Sequence, residues 1–363
     1  MHPKLDVTTS ASVEKIACDE YISRAGRECP FSGRLPTLSS RVGLLVTQGF
    51  EERSLGIIER LAATQSKVTG IVINRYAEEN ETDINSKYKG RFEEAAQKLS
   101  PGNCHVVSND CEGRWISKSL SLIDVDEIIL DITAISNRGV FGVLDAVADC
   151  GKKVWIAYSE PQCYWPTKLD WDQLEKELSG HQTLADLIDG KPWLSGYSHR
   201  VELVPGHDGY DSAGSGRALV GFLPFKRARI AAVLGEQDYE ECLFIAGKPR
   251  LVENYWRLIA LKKINEGIVK DWPVEVIETF GYLNTVKDLS VLLCGNGSLL
   301  SCYDVHLAIM GSKLQTIGCW VLSSIIPSLT LVTSVPSKYY PEAFSSGVGS
   351  QWIFSFLPPP RVR

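Results

Sequence analysis

Two carboxylates stand where a proton could be moved. Glu51 lies in the turn Gly-Phe-Glu-Glu-Arg-Ser after one apolar run, and Asp131 ends the run Glu-Ile-Ile-Leu-Asp. Either could serve as a general base if its surroundings brought its pKa toward neutrality. The turn with Glu51 also carries Glu52 and Arg53, and similar turns carry Asn74 and Arg75, then Glu160 and Tyr164. Carboxylates of this kind suit ribose hydroxyls, a metal or proton transfer. The plain alternative is an exposed surface charge, which fits Asp131 least because it directly follows an apolar strand.

Two further turns pair small polar residues with a cation at the start of an expected helix: Ile-Ser-Asn-Arg, with Ser136, Asn137 and Arg138, and Met-Gly-Ser-Lys, with Ser312 and Lys313. Unpaired N–H groups and the positive end of the helix dipole make such a turn an anion site. The same serines could instead be ordinary helix caps. A third pattern, Ser-x-Pro-x-x-Tyr-x-Pro, places Tyr164 and Tyr339 on stiff loops, where each ring could stack on a planar ligand or pack on its own domain.

These features recur. A shift of 175 positions sets Ser159, Pro161, Tyr164 and Pro166 on Ser334, Pro336, Tyr339 and Pro341, and Arg138 on Lys313. Shared letters in loops point to an internal duplication. The same shift sets Glu51, Glu52, Asp131 and Glu160 on Lys226, Arg227, His306 and Val335. Carboxylates in one half are thus replaced by cations or an apolar residue in the other. A phosphorylated ligand is expected to prefer the second half, through Lys226, Arg227 and Lys313.

The elements that must position these residues alternate regularly. Continuous apolar runs at 41–47, 68–74, 104–109, 127–132 and 153–159 read as strands buried on both faces, with helical periodicity between them. Runs at 218–223, 241–246, 274–279, 304–310 and 328–334 repeat the order. Parallel strands need crossovers, so the expected fold is α/β: two tandem Rossmann-like units, each a mainly parallel five-stranded sheet covered by helices. The expected boundaries are an extension to residue 40, units at 41–166 and 217–357, a connector at 167–216 and a tail at 358–363. Binding residues then belong in the loops at the carboxyl ends of the strands.

Composition narrows the choices. The chain of 363 residues is 44% hydrophobic and 23% charged, with a net charge of −6. That is an ordinary globular composition, and the charge argues against a broad grip on nucleic-acid backbone. No apolar run approaches the ~20 residues of a membrane span, and no signal peptide is recognisable, so a cytoplasmic location is expected. Ten cysteines without a Cys-x-x-Cys pair read as reduced thiols and not as a zinc site. The common phosphate-loop, dinucleotide, metalloprotease, hydrolase-elbow and kinase motifs are absent.

At Asp-Ile-Thr-Ala-Ile-Ser-Asn-Arg with Tyr-Ser-Glu-Pro-Gln-Cys-Tyr-Trp-Pro, and at their counterparts in the second half, the chain resembles tandem Rossmann-like proteins of bacterial defence islands. Its architecture resembles the CRISPR-associated Rossmann-fold sensors and the tandem SAVED sensors. The resemblance implies recognition of a nucleotide-like small molecule and an effector protein partner to deliver the output, with a homo-oligomer allowed and no cofactor assigned beyond a nucleotide. Two alternatives stay open: an enzyme acting on a nucleotide with Glu51 or Asp131 as base, and a scaffold that binds only other proteins.

Overall fold

The two central runs of the first sheet become strands because both of their faces are covered: all seven positions of β1 (Val42–Gln48) are buried, as are all five of β4 (Glu127–Asp131). The computed structural model describes residues 7–28, 36–76, 85–109, 114–180, 183–184, 187, 191–195, 199–209, 215–295, 298–336 and 344–360.

Helix α1 (Val7–Glu28) opens the chain. Around β1 and β4 run α2 (Gly56–Ala63), β2 (Gly70–Tyr76), α3 (Lys89–Leu99), β3 (Cys104–Asn109), α4 (Arg114–Leu122), α5 (Asn137–Ala148), β5 (Lys153–Ser159) and the short β6 (Cys163–Tyr164). Next come α6 (Lys168–Ser179), β7 (His199–Asp208), β8 (Gly216–Phe222), α7 (Ala228–Glu236), β9 (Glu241–Lys248), α8 (Trp256–Val269) and β10 (Val274–Glu278). The series ends with α9 (Tyr282–Cys294), β11 (Tyr303–Ala308), α10 (Lys313–Ile325), β12 (Thr330–Pro336), β13 (Ser345–Ser346) and β14 (Gln351–Phe356).

The chain forms two compact units, one of residues 25–165 with 341–358 and one of residues 1–24, 166–340 and 359–363. The first unit's sheet has the order β14-β5-β4-β1-β2-β3, and the second's has β10-β9-β8-β11-β12-β7. In each, five strands are parallel and the sixth, β14 or β7, is an antiparallel edge. Both sheets are therefore doubly wound, with the order reversing between β1 and β4 and between β8 and β11. At such a reversal two loops leave in opposite directions and open a crevice.

Each sheet has six strands where five were expected. The sequence reading placed 341–357 with the second unit, whereas Gln351–Phe356 pairs with β5 of the first. It also placed His199–Asp208 in a connector, whereas this strand completes the second sheet against β12. Edge strands far along the chain from their neighbours leave no local pattern that names the partner. Before α8 the chain forms a tighter 3-10 turn over Val252–Asn254, and the α-helix begins at Trp256.

The first unit's core joins one face of the sheet to α2 and α3: Val46, Ile73, Ile129 and Ala157 pack with Ile57, Ile58, Leu61 and Phe92. Ile353 of β14 is part of the same cluster. In the second unit, α10 is buried from Leu314 through Ser323, and Gly318 permits its closest approach, since a Cβ there would lie 2.6 Å from Thr285 of α9.

The placement of β14 can be measured. Ile353 is 2% exposed, so Ile353→Ala should destabilise by about 2–5 kcal/mol in denaturant titration. Leu203 in β7 is 48% exposed, and Leu203→Ala should change stability by no more than about 0.5 kcal/mol. Equal, small effects would show that β14 is not part of the core.

Candidate functional site: the carboxyl edge of the first sheet

Burial at the carboxyl ends of the first unit's strands falls on polar residues. Thr47, Asn74, Asp131, Thr133 and Ser159 are each no more than 1% exposed. A buried polar group costs free energy unless it is hydrogen-bonded, so each partner matters. Asn74 donates from Nδ2 to Thr47 Oγ1 at 3.2 Å, and Ser159 N–H donates to Thr133 Oγ1 at 2.9 Å.

Asp131 is the focus of this layer. Its Oδ1 accepts from Thr133 N at 2.9 Å and from Thr133 Oγ1 at 2.5 Å, an Asp-x-Thr turn that bends the chain off the end of β4. Its Oδ2 is buried and has no hydrogen-bond partner among the described residues, and the same is true of Asn74 Oδ1. Desolvation raises the Asp131 carboxyl to about 7, against the opposing pull of the Thr133 hydrogen bonds and the Arg53 charge. Burial wins because one oxygen is left without a donor.

The loop after β1 supplies the neighbouring cation. Arg53 is nearly buried and pairs with Glu51 at 2.8 Å. It also donates to Tyr158 Oη at 3.3 Å and to the Ser159 carbonyl at 3.4 Å. Burial lowers the guanidinium's pKa, but the Glu51 charge more than restores it, so Arg53 stays cationic. Glu51 also accepts from Ser345 Oγ. It is thus committed on both sides to holding Arg53 and the C-terminal segment, an arrangement that suits a structural ion pair better than a base.

A third group of contacts ties the loops together. Gly49 after β1 touches Ala134 after β4, where a Cβ would sit 2.7 Å from the Ala134 Cβ. Tyr76 reaches the same loop, donating to the Ala134 carbonyl at 2.8 Å and accepting from Ser136 N–H at 3.2 Å. Ser136 Oγ caps α5 by accepting from Gly139 N at 3.0 Å. Asn137 and Arg138 are the first two residues of that helix.

The remaining expected residues take varied places. Glu52 pairs with Arg91 at 3.0 Å, and Arg75 binds Gln48 and Glu93, each at 3.0 Å. Glu160 accepts from Trp352 Nε1 at 3.1 Å. Tyr164 is 37% exposed, and its hydroxyl lies 3.4 Å from that of Tyr158; desolvation of the hydroxyl and the Tyr158 neighbour raise its pKa.

In the second unit, Ser312 caps α10 in a reciprocal box with Gln315 and donates to the Thr279 carbonyl at 2.6 Å. Lys313 is the first residue of α10, so the two caps align with a shift one residue longer than the loops do, and Lys313 matches Asn137 instead of Arg138. Lys226 and Arg227 are half-buried in the turn before α7. His306 lies inside β11, within the strand expected at 304–310: it pairs in register with Leu219 in the body of the sheet, and its Nδ1 lies 3.1 Å from Tyr239 Oη. Tyr339 lies outside the described residues.

Sequence reasoning missed Thr133, Tyr76, Tyr158 and Ser345. Asp-x-Thr at a strand end is a readable signal for the first. The other three act across the fold, from positions that sequence does not bring together. Among the described residues no group of three His, Cys, Asp or Glu is placed to hold a metal. No described helix is long and apolar enough to cross a membrane.

Known proteins resemble this chain only distantly. No family model matches it, and no curated protein matches its sequence. Among solved structures, a type III CRISPR defence DNA nuclease activated by cyclic oligoadenylate aligns over 77% of this chain with 11% identity and a TM-score of 0.46; the chain spans 64% of that nuclease. A universal stress protein from Archaeoglobus fulgidus DSM 4304 aligns over 81% of this chain and 96% of its own, with 13% identity and a TM-score of 0.25. The cytoplasmic domain of a prokaryotic cation chloride cotransporter aligns over 81% and 95%, with 8% identity and a TM-score of 0.26. The doubly wound α/β class of the chain rests on its own strand order.

The carboxyl of Asp131 makes stability depend on pH in a defined direction. Its folded pKa, about 7, lies above the unfolded value, so the unfolded chain binds fewer protons and stability falls as pH rises through the window from about 4 to about 7. Between about pH 5.5 and 8.5 the loss should be roughly 2 kcal/mol. Asp131→Asn, which keeps the shape and cannot ionise, should flatten this part of the profile. Parallel profiles for the two proteins would show that Asp131 does not titrate in this range.

Proposed function

We propose that this protein is a nucleotide-recognising sensor or accessory subunit of a prokaryotic antiviral defence system, and that its ligand meets the first unit at the carboxyl edge of the sheet. One observation carries the reading: Asp131, at the end of β4 beside the point where the strand order reverses, keeps a buried carboxyl oxygen that has no hydrogen-bond partner among the described residues. This is the place where open α/β sheets bind ligands, and the polar atom there is costly unless something satisfies it. A ligand hydroxyl or amino group would supply the missing donor. The resemblance of the paired loops to defence-island proteins gives the setting, and the output passes to a partner effector chain.

A second reading has its own support. A carboxyl with a pKa of about 7 is well matched to general-base catalysis at neutral pH, so Asp131 also fits an enzyme acting on a nucleotide.

Both readings meet the same experiment. The protein and Asp131→Asn are incubated with AMP, ATP, NAD and cyclic oligonucleotides, while melting temperature and product formation are followed. A sensor gives stabilisation of the parent, about 2.7 kcal/mol at a hundredfold excess over Kd, with less for the variant and no product. Turnover abolished by the substitution establishes the enzyme. Stabilisation by none of these compounds rejects both and leaves the protein-binding scaffold.

A further inference from the structure

The carboxyl edge of the second unit is built differently. Where the first unit buries carboxylates and hydroxyls, the loops after β8, β9 and β10 carry aromatic rings, each against a cation. Arg257 lies 4.6 Å from the ring centre of Phe225, which follows β8, and 5.2 Å from that of Trp256. Lys248, at the end of β9, lies 5.6 Å from Tyr255 and 3.7 Å from the Glu278 carboxylate at the end of β10, and Arg250 lies 5.0 Å from Phe280, which follows β10. Arg250 is exposed, and Tyr255 is 37% exposed. Lys226 and Arg227 adjoin Phe225 in the same turn.

These loops are held in place. Thr279 donates to the Lys248 carbonyl from N at 2.9 Å and from Oγ1 at 3.2 Å. Gln315 donates to the Glu278 carbonyl at 3.2 Å, and Arg257 donates to the Pro166 carbonyl at 2.6 Å. The rings and cations are therefore positioned before any ligand arrives.

We propose that this edge binds a short single-stranded nucleic acid, with its bases stacked on the rings and guanidinium planes of Tyr255, Phe280 and Arg250 and its phosphodiesters against Lys248, Arg250 and Arg257. Rings interleaved with cations are what a flexible strand needs, because every base offers a flat face and every linkage a charge. Number decides between a mononucleotide and a strand. One nucleotide uses one ring and one cation, whereas ring–cation pairs follow three adjacent strands, spread over about 10 Å at the usual strand spacing. Duplex is disfavoured, because its bases are stacked inside and the chain's net charge of −6 offers no wide basic face. The inference is independent of the ligand assigned to the first unit.

Fluorescence anisotropy with end-labelled oligothymidylate, oligouridylate and a duplex of about a dozen base pairs tests it at low salt, about 50 mM. Binding of at least one single strand is expected, at least about tenfold tighter than the duplex, with a log–log salt slope near −2 for about three phosphate contacts at ~0.7 each. Arg250→Ala and Phe280→Ala should each weaken binding by about 5- to 100-fold, the loss of one stacked base, and Arg250→Glu by more. The two arginine variants alter an exposed side chain, so their melting temperatures should match the parent's. Preference for one sugar names RNA or DNA as the natural strand. Failure of both single strands to bind, equal binding of the duplex, or unchanged affinity in the arginine variants would overturn the proposal.

Discussion

Parallel strands cannot be joined by tight turns, and each must be followed by a crossover that returns the chain to the far end of the sheet. Everything distinctive in this protein follows from that constraint. The crossovers bury both faces of β1 and β4 and make them continuously apolar. Five loops then leave each sheet at one edge, where the side chains can no longer be apolar on both faces. In the first unit the chain resolves that edge with a buried polar layer, and in the second with aromatic rings and cations. The sixth, antiparallel strand of each sheet comes from outside the repeating series, β14 from the chain's end and β7 from the segment between the two series.

Within the first unit, one charge pair organises the rest. Arg53 sits where its guanidinium reaches Glu51, Tyr158 and the Ser159 carbonyl, binding the loop after β1 to the end of β5. A buried pair of this kind contributes little net stability once its desolvation is counted, and breaking it by removing one partner is costly. Its value is positional, for it fixes the loop beside Asp131. The second unit repeats the contact with different residues: Arg229 donates to the Ser334 carbonyl at 3.1 Å. An arginine thus donates to a serine carbonyl at the end of a strand in both units, at Ser159 and at Ser334.

Strand positions, the parallel class and the doubled series were legible because buried parallel strands write themselves as unbroken apolar runs. So was the burial of Asp131, since a carboxylate joined to such a run has few solvated places to go. Partners distant in sequence were not legible. Ser345 meets Glu51, and Trp352 meets Glu160, only because β14 returns to the first sheet. His306 was matched to Asp131 because a fixed shift assumes equal loop lengths, and the strands and caps of the two halves are offset by different amounts. The rings at Phe225, Tyr255 and Phe280 have no signature for a related reason: aromatic residues scattered over three loops have no period, and only the sheet brings them to one edge.

The account turns on the state of one carboxyl. Selective 13C labelling of aspartate, with the Asp131 Cγ resonance assigned through Asp131→Asn and followed against pH, measures it directly. A midpoint near 7 without ligand is the expected result, displaced downward by at least about one unit when a saturating ligand donates a hydrogen bond to Oδ2. A midpoint at or below about 4 would mean that this oxygen is already solvated or paired, and the site would lose its central feature.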